Sequence, residues 1–517
     1  MTRTEKTLHN VRAAVICQII TLASALLTRR LVVTFTSAAY LGLGGLFSNI
    51  MTVLSLAEMG VGTSITFSLY RPLHDGDEDK VAALMRLFKR AYTIIGGAVI
   101  VIGAAIIPLL RFFVDDFDKV RAEIPQFYLI YILYVLNAGI SYFLSYTRTL
   151  IVADQKKYIT SIVSSAAQIL LLFGAFALFS LTKNYVLFMV LTVCTTLGEN
   201  VVLSVIAYKK YPALKNRGGE LTQDDKKTIK TNVSSSVLHN IGGVLVNGTD
   251  NIIISRFVGF IVEGVYSSYH LISAALDSLL RPIFQSATAG YGDLAVEDDG
   301  ERRVTVFNRM FFAGAWLYGM SAVCIACLSA DFVKIWLGDG FEIGDASVLL
   351  IALNFYLVGM RRPVLCARDA MGLLRYDRWK SIAEAAINIV LSILLARTMG
   401  LSGVLLGTTI SCLTTCFWVE PLMLYRHGFS RGVGAYFARY AFYAFATAAA
   451  FALCYFTCRA IALSGILGLI VKAAVCLAVS NAVYAAAYAR TDEFKYFYNS
   501  IKGRFSRKGE SAEGGKK

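Results

Sequence analysis

Apolar runs without a single charged residue recur along this chain. Several, such as Tyr92–Leu110, Phe311–Ala330 and Ala441–Cys458, are long enough to cross a hydrocarbon layer of ~30 Å as helices. No water is available at that depth, so the backbone of each run must satisfy its own hydrogen bonds. Composition agrees: 56% of the 517 residues are hydrophobic and 16% charged, against ~25% charged in soluble domains, and mean hydropathy is +0.59. The first apolar stretch is too long for a cleavable leader and lacks a small-residue cleavage site, so it reads as the first span.

Fourteen spans are expected, at 13–36, 41–68, 92–111, 126–147, 158–181, 185–208, 233–256, 260–287, 310–331, 346–367, 381–398, 401–425, 436–458 and 461–489. An even number puts both termini on one side. With residues at span ends, Arg439 among them, counted with the adjoining loop, 36 of the 50 Lys and Arg lie on the side of the termini and 8 on the other. Short basic loops stay cytoplasmic, so both termini are expected inside a bacterial plasma membrane. Retention signals and attraction to anionic lipid account for the net charge of +15 without a nucleic-acid partner.

The longest cytoplasmic connection falls at 209–232. It separates an N-lobe, 1–208, from a C-lobe, 233–427, followed by two appended spans within 428–490 and a basic tail, 491–517, expected to be solvated, with an amphipathic surface helix as the alternative. An internal repeat crosses the connection. Tyr70-Arg71-Pro72 is followed by an acidic and then a basic cluster, and so is Leu280-Arg281-Pro282. The equivalent spans lie on the same sides of the membrane, so the two six-helix lobes are parallel.

The run Tyr40-Leu41-Gly42-Leu43-Gly44-Gly45-Leu46-Phe47-Ser48-Asn49-Ile50, with Leu56-Ala57-Glu58-Met59-Gly60-Val61-Gly62 after it, resembles polysaccharide-unit (Wzx-type) flippases of the multidrug/oligosaccharidyl-lipid/polysaccharide exporter (MOP) superfamily. Thr249-Asp250-Asn251-Ile252-Ile253-Ile254-Ser255 and Arg281-Pro282-Ile283-Phe284-Gln285 strengthen the likeness. The resemblance implies an all-α polytopic membrane protein of about 14 helices, with two six-helix bundles around a central cavity and two appended helices. It further implies alternating access that carries undecaprenyl-pyrophosphate-linked sugar units to the outer leaflet. Membrane lipid and lipid-linked oligosaccharide are then partners, with a glycan polymerase or glycosyltransferases as further ones.

Charges at bilayer depth are costly and mark function or a buried partner. Arg29 and Arg30 lie inside the first span. At 100° per residue Gln18, Thr21, Ser24, Thr28 and Thr36 form a polar stripe. Arg29 is beside that stripe and is the cavity candidate, with a structural pair to an acid such as Glu58 as its alternative. Arg281, Arg361 and Arg362 precede prolines or lie next to one that does, in inward-running spans. A guanidinium fork matches phosphate oxygens bidentately, so Arg29, Arg281, Arg361 and Arg362 are the candidate pyrophosphate ligands. Asp277, four residues before Arg281, could instead neutralise it.

Glu58, Glu199, Asp250, Asp277, Glu384 and Glu420 are the acids weighed against them. Glu58 and Asp250 are candidates for coupling to Na⁺ or H⁺, Asp250 because Asn247, Thr249 and Asn251 surround it with oxygen ligands; a hydrogen-bonded contact between helices is the other reading of Asp250, and the favoured one. No other cofactor or metal is called for. The ten cysteines read as small buried residues, and the Gly42/Gly44/Gly45 run as a helix-packing surface rather than a nucleotide loop. No nucleotide-binding or catalytic motif is present, so an ATP-driven pump and an enzyme are disfavoured. The runner-up function is a multidrug-type cation antiporter of the same superfamily.

Overall fold

The structure is a computed structural model and describes residues 3–55, 58, 61–215, 219–223, 225–227, 229, 233, 248–296, 300–373, 379–500 and 502. Helix dominates, and no strand occurs among the described residues. In order the helices are α1 Arg3–Phe35, α2 Ala38–Leu54, α3 Val61–Asp75, α4 Glu78–Ile106, α5 Phe117–Glu123, α6 Phe127–Ala153, α7 Lys157–Thr182 and α8 Tyr185–Lys210. After them come α9 at 248–257, α10 Phe260–Val296, α11 Gly300–Leu337, α12 Asp345–Ala370, α13 Lys380–Thr414, α14 Cys416–Leu424, α15 Gly434–Ala460, α16 Gly465–Tyr488 and α17 at 492–500. Among the described residues ten segments are long and apolar enough to cross a membrane, which makes this a multi-pass membrane protein. Most of the expected span at 233–256, with Asn247, lies outside the described residues.

Local chemistry explains several boundaries. Asp77 caps α4 by accepting from the Lys80 N–H at 2.9 Å, with Glu78 and Asp79 in the first turn, where negative charge complements the helix dipole. Asn184 caps α8 through the Val186 and Leu187 N–H groups. The expected spans 381–398 and 401–425 form one hairpin within and beyond α13. Its turn is Gly400 at φ 57°, ψ −134°, a conformation that strains any side chain bearing a β-carbon. Asn388 donates to Thr408 at 3.0 Å and Ser392 to the Val404 carbonyl at 3.3 Å across it.

One expected span is broken. Instead of one helix over 41–68, α2 stops at Leu54 and α3 starts at Val61, with Glu58 between them in a turn. There the Glu58 N–H bonds to the Ser55 carbonyl and the Val61 N–H to the Glu58 carbonyl. These three-residue bonds replace the α-helical four-residue ladder.

The chain divides into two compact units, Met1–Ser268 with Ser381–Thr408, and Tyr269–Lys380 with Thr409–Lys517. This division falls inside α10 and α13 rather than at the connection 209–232. The described part of that connection folds back onto the start of α4. Asp225 pairs with Lys80 at 3.0 Å, Arg86 bonds to the Gly219 carbonyl, and the Lys80 and Thr222 hydrogen bonds hold the Asp225 carboxyl below its usual range.

In the first unit small residues set the helix approaches. A β-carbon on Gly96 would meet the Gly139 carbonyl at 3.0 Å, so α4 and α6 cross in contact. A β-carbon on Gly42 would run into the Phe260 carbonyl, and one on Gly264 into the Gly42 backbone. Val53 of α2 also touches Gly248 of α9. Gly264→Ala is therefore expected to lower stability by about 1–3 kcal/mol through overpacking. Thermal unfolding of the purified protein checks this, with Gly97→Ala, where nothing lies nearby, as the comparison.

In the second unit α15 and α16 pack on α11 through aromatic rings. Phe311 stacks on Tyr436 at 4.8 Å between ring centres, and Trp316 meets Tyr484 at 5.5 Å. The same surface takes the start of the tail, correcting the expectation of a solvated segment. In α17 Phe494 stacks on Trp316 and Phe497 on Phe312, Arg309 lies 3.6 Å from the Tyr496 ring centre, and Glu493 pairs with Arg439. Four aromatic or ionic contacts in one short helix outweigh the solvation of its few charges. Residues 503–517 lie outside the described residues.

Candidate functional site

Arg29 sits six residues before the end of α1 and reaches the first turns of α10. Its Nε donates to Ser268 Oγ at 3.0 Å, and its Nη2 to Ser267 Oγ at 2.5 Å and to the Gly264 carbonyl at 2.9 Å. All these acceptors are neutral. The positive charge is balanced only through space, chiefly by Glu263, with the Tyr134 and Tyr185 hydroxyls nearby. Those hydroxyls lie 3.2 Å apart, and Tyr40 packs on the Tyr185 ring. The alternative, a structural Arg29–Glu58 pair, does not form. Part of the polar stripe of α1 serves packing, since Thr21 meets Ser165 of α7 at 3.4 Å.

Glu263 is absent from the acids weighed in the sequence although it falls within the span expected at 260–287. Its side chain is fully buried, and neither carboxylate oxygen has a hydrogen-bond partner among the described residues. It rests against Gly45, where a β-carbon would collide with it. The glycine run therefore does more than let helices approach, because it also seats an acid.

Asp250 is buried in α9. Its Oδ2 accepts from Thr408 Oγ1 at 2.8 Å, and Thr408 accepts from Asn388, whose side chain also lies beside Asp250. Asp250 Oδ1 and Asn388 Oδ1 are both buried without a partner among the described residues. Two open oxygens beside a hydroxyl suit a bound Na⁺ or a proton. The partners come from the α13 hairpin, about 140–160 residues away in sequence, so spacing alone could not reveal them. Glu58, in the break between α2 and α3, accepts from Tyr92, and Tyr142 lies against the same carboxylate. A discontinuous span with an acid in its gap is a recurrent form of transporter ion site.

The second unit sorts the remaining arginines. Arg361 makes a bidentate pair with buried Glu420, Nε to Oε2 at 3.1 Å and Nη2 to Oε1 at 2.8 Å, and Lys380 binds the same carboxylate. Glu420 is thus the centre of a buried network. Arg362 holds Asp277 at 2.9 and 3.1 Å, and Tyr318 donates to the same acid at 3.0 Å. Asp277 was the acid expected to neutralise Arg281. Arg281 is instead exposed, with no hydrogen bond or ion pair to any described residue. Arg361 and Arg362 already have carboxylate partners, while Arg29 and Arg281 do not.

In the first unit Arg148 was not singled out because it lies one residue beyond the expected end of its span. It pairs with Glu199, and Ser164 donates to that carboxylate at 2.6 Å. Seven of the cysteines are buried, Cys324 and Cys327 are partly so and Cys194 is exposed; all ten are free thiols.

No protein-family profile matches the chain, and no curated protein is similar in sequence. Solved structures are similar in fold. One is the lipid II flippase MurJ in an inward closed conformation, 14% identical, with a TM-score of 0.65 over 93% of this chain and 99% of that one. Another is an inward-facing multidrug resistance transporter of the MATE family of the MOP superfamily, 14% identical, with a TM-score of 0.60 over 78% of this chain and 98% of that one. A third is a variant of the Vibrio cholerae MATE transporter VcmN, 12% identical, with a TM-score of 0.54 over 83% and 98%. The chain therefore shares its all-helical fold with these three solved structures.

Proposed function

We propose that this protein is a flippase that carries undecaprenyl-pyrophosphate-linked oligosaccharide from the inner to the outer leaflet for surface polysaccharide assembly. Both termini are then cytoplasmic, and a glycan polymerase or glycosyltransferases act before and after it. Two observations carry this reading, each within its own unit: Arg29, inside the apolar span that ends α1, bonds only to neutral acceptors, and exposed Arg281 of α10 has no carboxylate bonded to it. A pyrophosphate is far costlier in hydrocarbon than the lipid tail attached to it. It needs a cationic path through protein, and planar forks bind it without doing chemistry on it. Parallel lobes would expose that path alternately to each leaflet, parting where span 1 meets span 8 and span 2 meets span 7.

Direction is supplied by an ion gradient or the membrane potential. Asp250 with Asn388 and Thr408 is the leading coupling site, and Glu58 the second. The acids of the first unit also suit a cation antiporter, and one experiment separates the two. In proteoliposomes, an undecaprenyl-pyrophosphate-linked sugar should cross only with protein present and faster under a Na⁺ or proton gradient. Asp250→Asn should retain crossing and lose its gradient dependence. Unchanged dependence would return Asp250 to a structural role. Ion-coupled efflux of a cationic dye, without movement of the lipid diphosphate, would establish the antiporter instead.

A further inference from the structure

Glu263 is the most unusual group in the first unit: a fully buried carboxyl with no hydrogen-bond donor among the described residues, next to an arginine that donates only to neutral acceptors. Isolated carboxylates are not kept ionised in such places without compensation. Here compensation comes from the Arg29 charge acting through space. The other titratable groups facing it are Tyr134 of α6 and Tyr266 on its own helix, which also feels Asp250, while α2 contributes only Gly45. Neither tyrosine donates to it. Glu263 therefore depends on Arg29 alone.

The Arg29 contacts have the opposite character. Ser267 and Ser268 also bond to the Gly264 carbonyl, at 2.9 and 3.3 Å. They remain satisfied if the guanidinium turns away, so little holds Arg29 in place against a stronger acceptor. A diphosphate is such an acceptor, since charge-assisted bonds are roughly twice as strong as neutral ones. Once Arg29 is committed to it, Glu263 has neither donor nor counter-ion, and the neutral acid becomes its cheaper form.

We propose that Glu263 is the exchangeable counter-ion of Arg29, and that it takes a proton from water when an anionic head group captures the arginine. This rests on the reading of Arg29 as a head-group ligand. Capture and proton uptake are then linked, and release of the head group returns the proton. The linkage has a definite sign: because binding consumes a proton, affinity falls as pH rises, by up to about tenfold per pH unit. It also gives the latch between α1 and α10 a dependence on local acidity that Arg29 alone lacks.

The test uses the full chain in nanodiscs with undecaprenyl pyrophosphate as the probe. Calorimetry in buffers of different ionisation enthalpy counts the protons taken up on binding. Wild type should take up about one proton more than Glu263→Gln, and the variant's affinity should lose the corresponding pH slope. Glu263→Asp keeps the charge and should keep the proton count, which guards against a variant that merely misfolds. Equal proton counts for wild type and Glu263→Gln would overturn the proposal. Unchanged probe binding by Arg29→Ala would instead remove the head-group reading beneath it.

Discussion

Arg29→Ala and Arg281→Ala should each insert, fold and lose flipping by about 10–150-fold, the loss expected from removing one charge-assisted contact worth ~1.5–3 kcal/mol. Neither removal breaks a hydrogen bond to a buried carboxylate, and Glu263, which loses its counter-ion in Arg29→Ala, can be relieved by taking a proton. Ser267 and Ser268 keep their bonds to the Gly264 carbonyl, and Arg281 has no described partner to strand. A transport defect in these variants is therefore separable from a folding defect. Lysine should rescue only partly at either position, because a point charge lacks the planar fork. The measurement is leaflet location of the lipid-linked sugar in cells or proteoliposomes, with expression and melting temperature recorded alongside. Wild-type flipping by both alanine variants would eliminate the pyrophosphate path.

The opposite outcome is expected for Glu420→Gln. Its carboxylate is shared by Arg361 and Lys380 and is completely buried. Removing the negative charge takes from both cations the carboxylate they share in a water-poor site. Breaking a buried pair in this way costs about 3–5 kcal/mol, a large part of the stability of most folds. Low yield and a strongly reduced melting temperature should follow, and Lys380→Met in the same chain should recover part of the loss by removing one stranded charge. Fluorimetry of purified variants checks this, with Arg71→Ala as reference, since the Arg71–Asp75 pair is exposed and such pairs contribute little. A shift no larger than that of Arg71→Ala would mean that the network is not structural.

These two outcomes also mark what could be read without coordinates. Hydrophobic runs place most of the long described helices, because each span must satisfy its own backbone and is therefore locally encoded. The break at Glu58 escaped because the residues on both sides are as apolar as a continuous span. Arginines were recognised as candidates, but their standing depended on partners far away in sequence. Asp277 lies four residues from Arg281 and yet binds Arg362, 85 positions on. Glu420 binds Arg361 from 59 positions away. Helical spacing predicts which pairs can meet on one helix and is silent on a competitor from another. Aromatic docking of α17 was illegible for a related reason: its rings had no visible receiver until α11 was brought beside it.

The gap between α2 and α3 has a mechanical consequence. A continuous helix is a stiff rod, and a tilt imposed at one end appears at the other. Here α2 ends at Leu54, clasped to α10 at Gly42, and α3 begins at Val61. Two helices joined through Glu58 by three-residue backbone bonds are expected to tilt more independently than one rod would. They would then act as separate levers, and the joint between them carries an ionisable group. Stiffening it would connect the levers, so a helix-favouring insertion there would change the motion of the protein while leaving every contact of Arg29 in place.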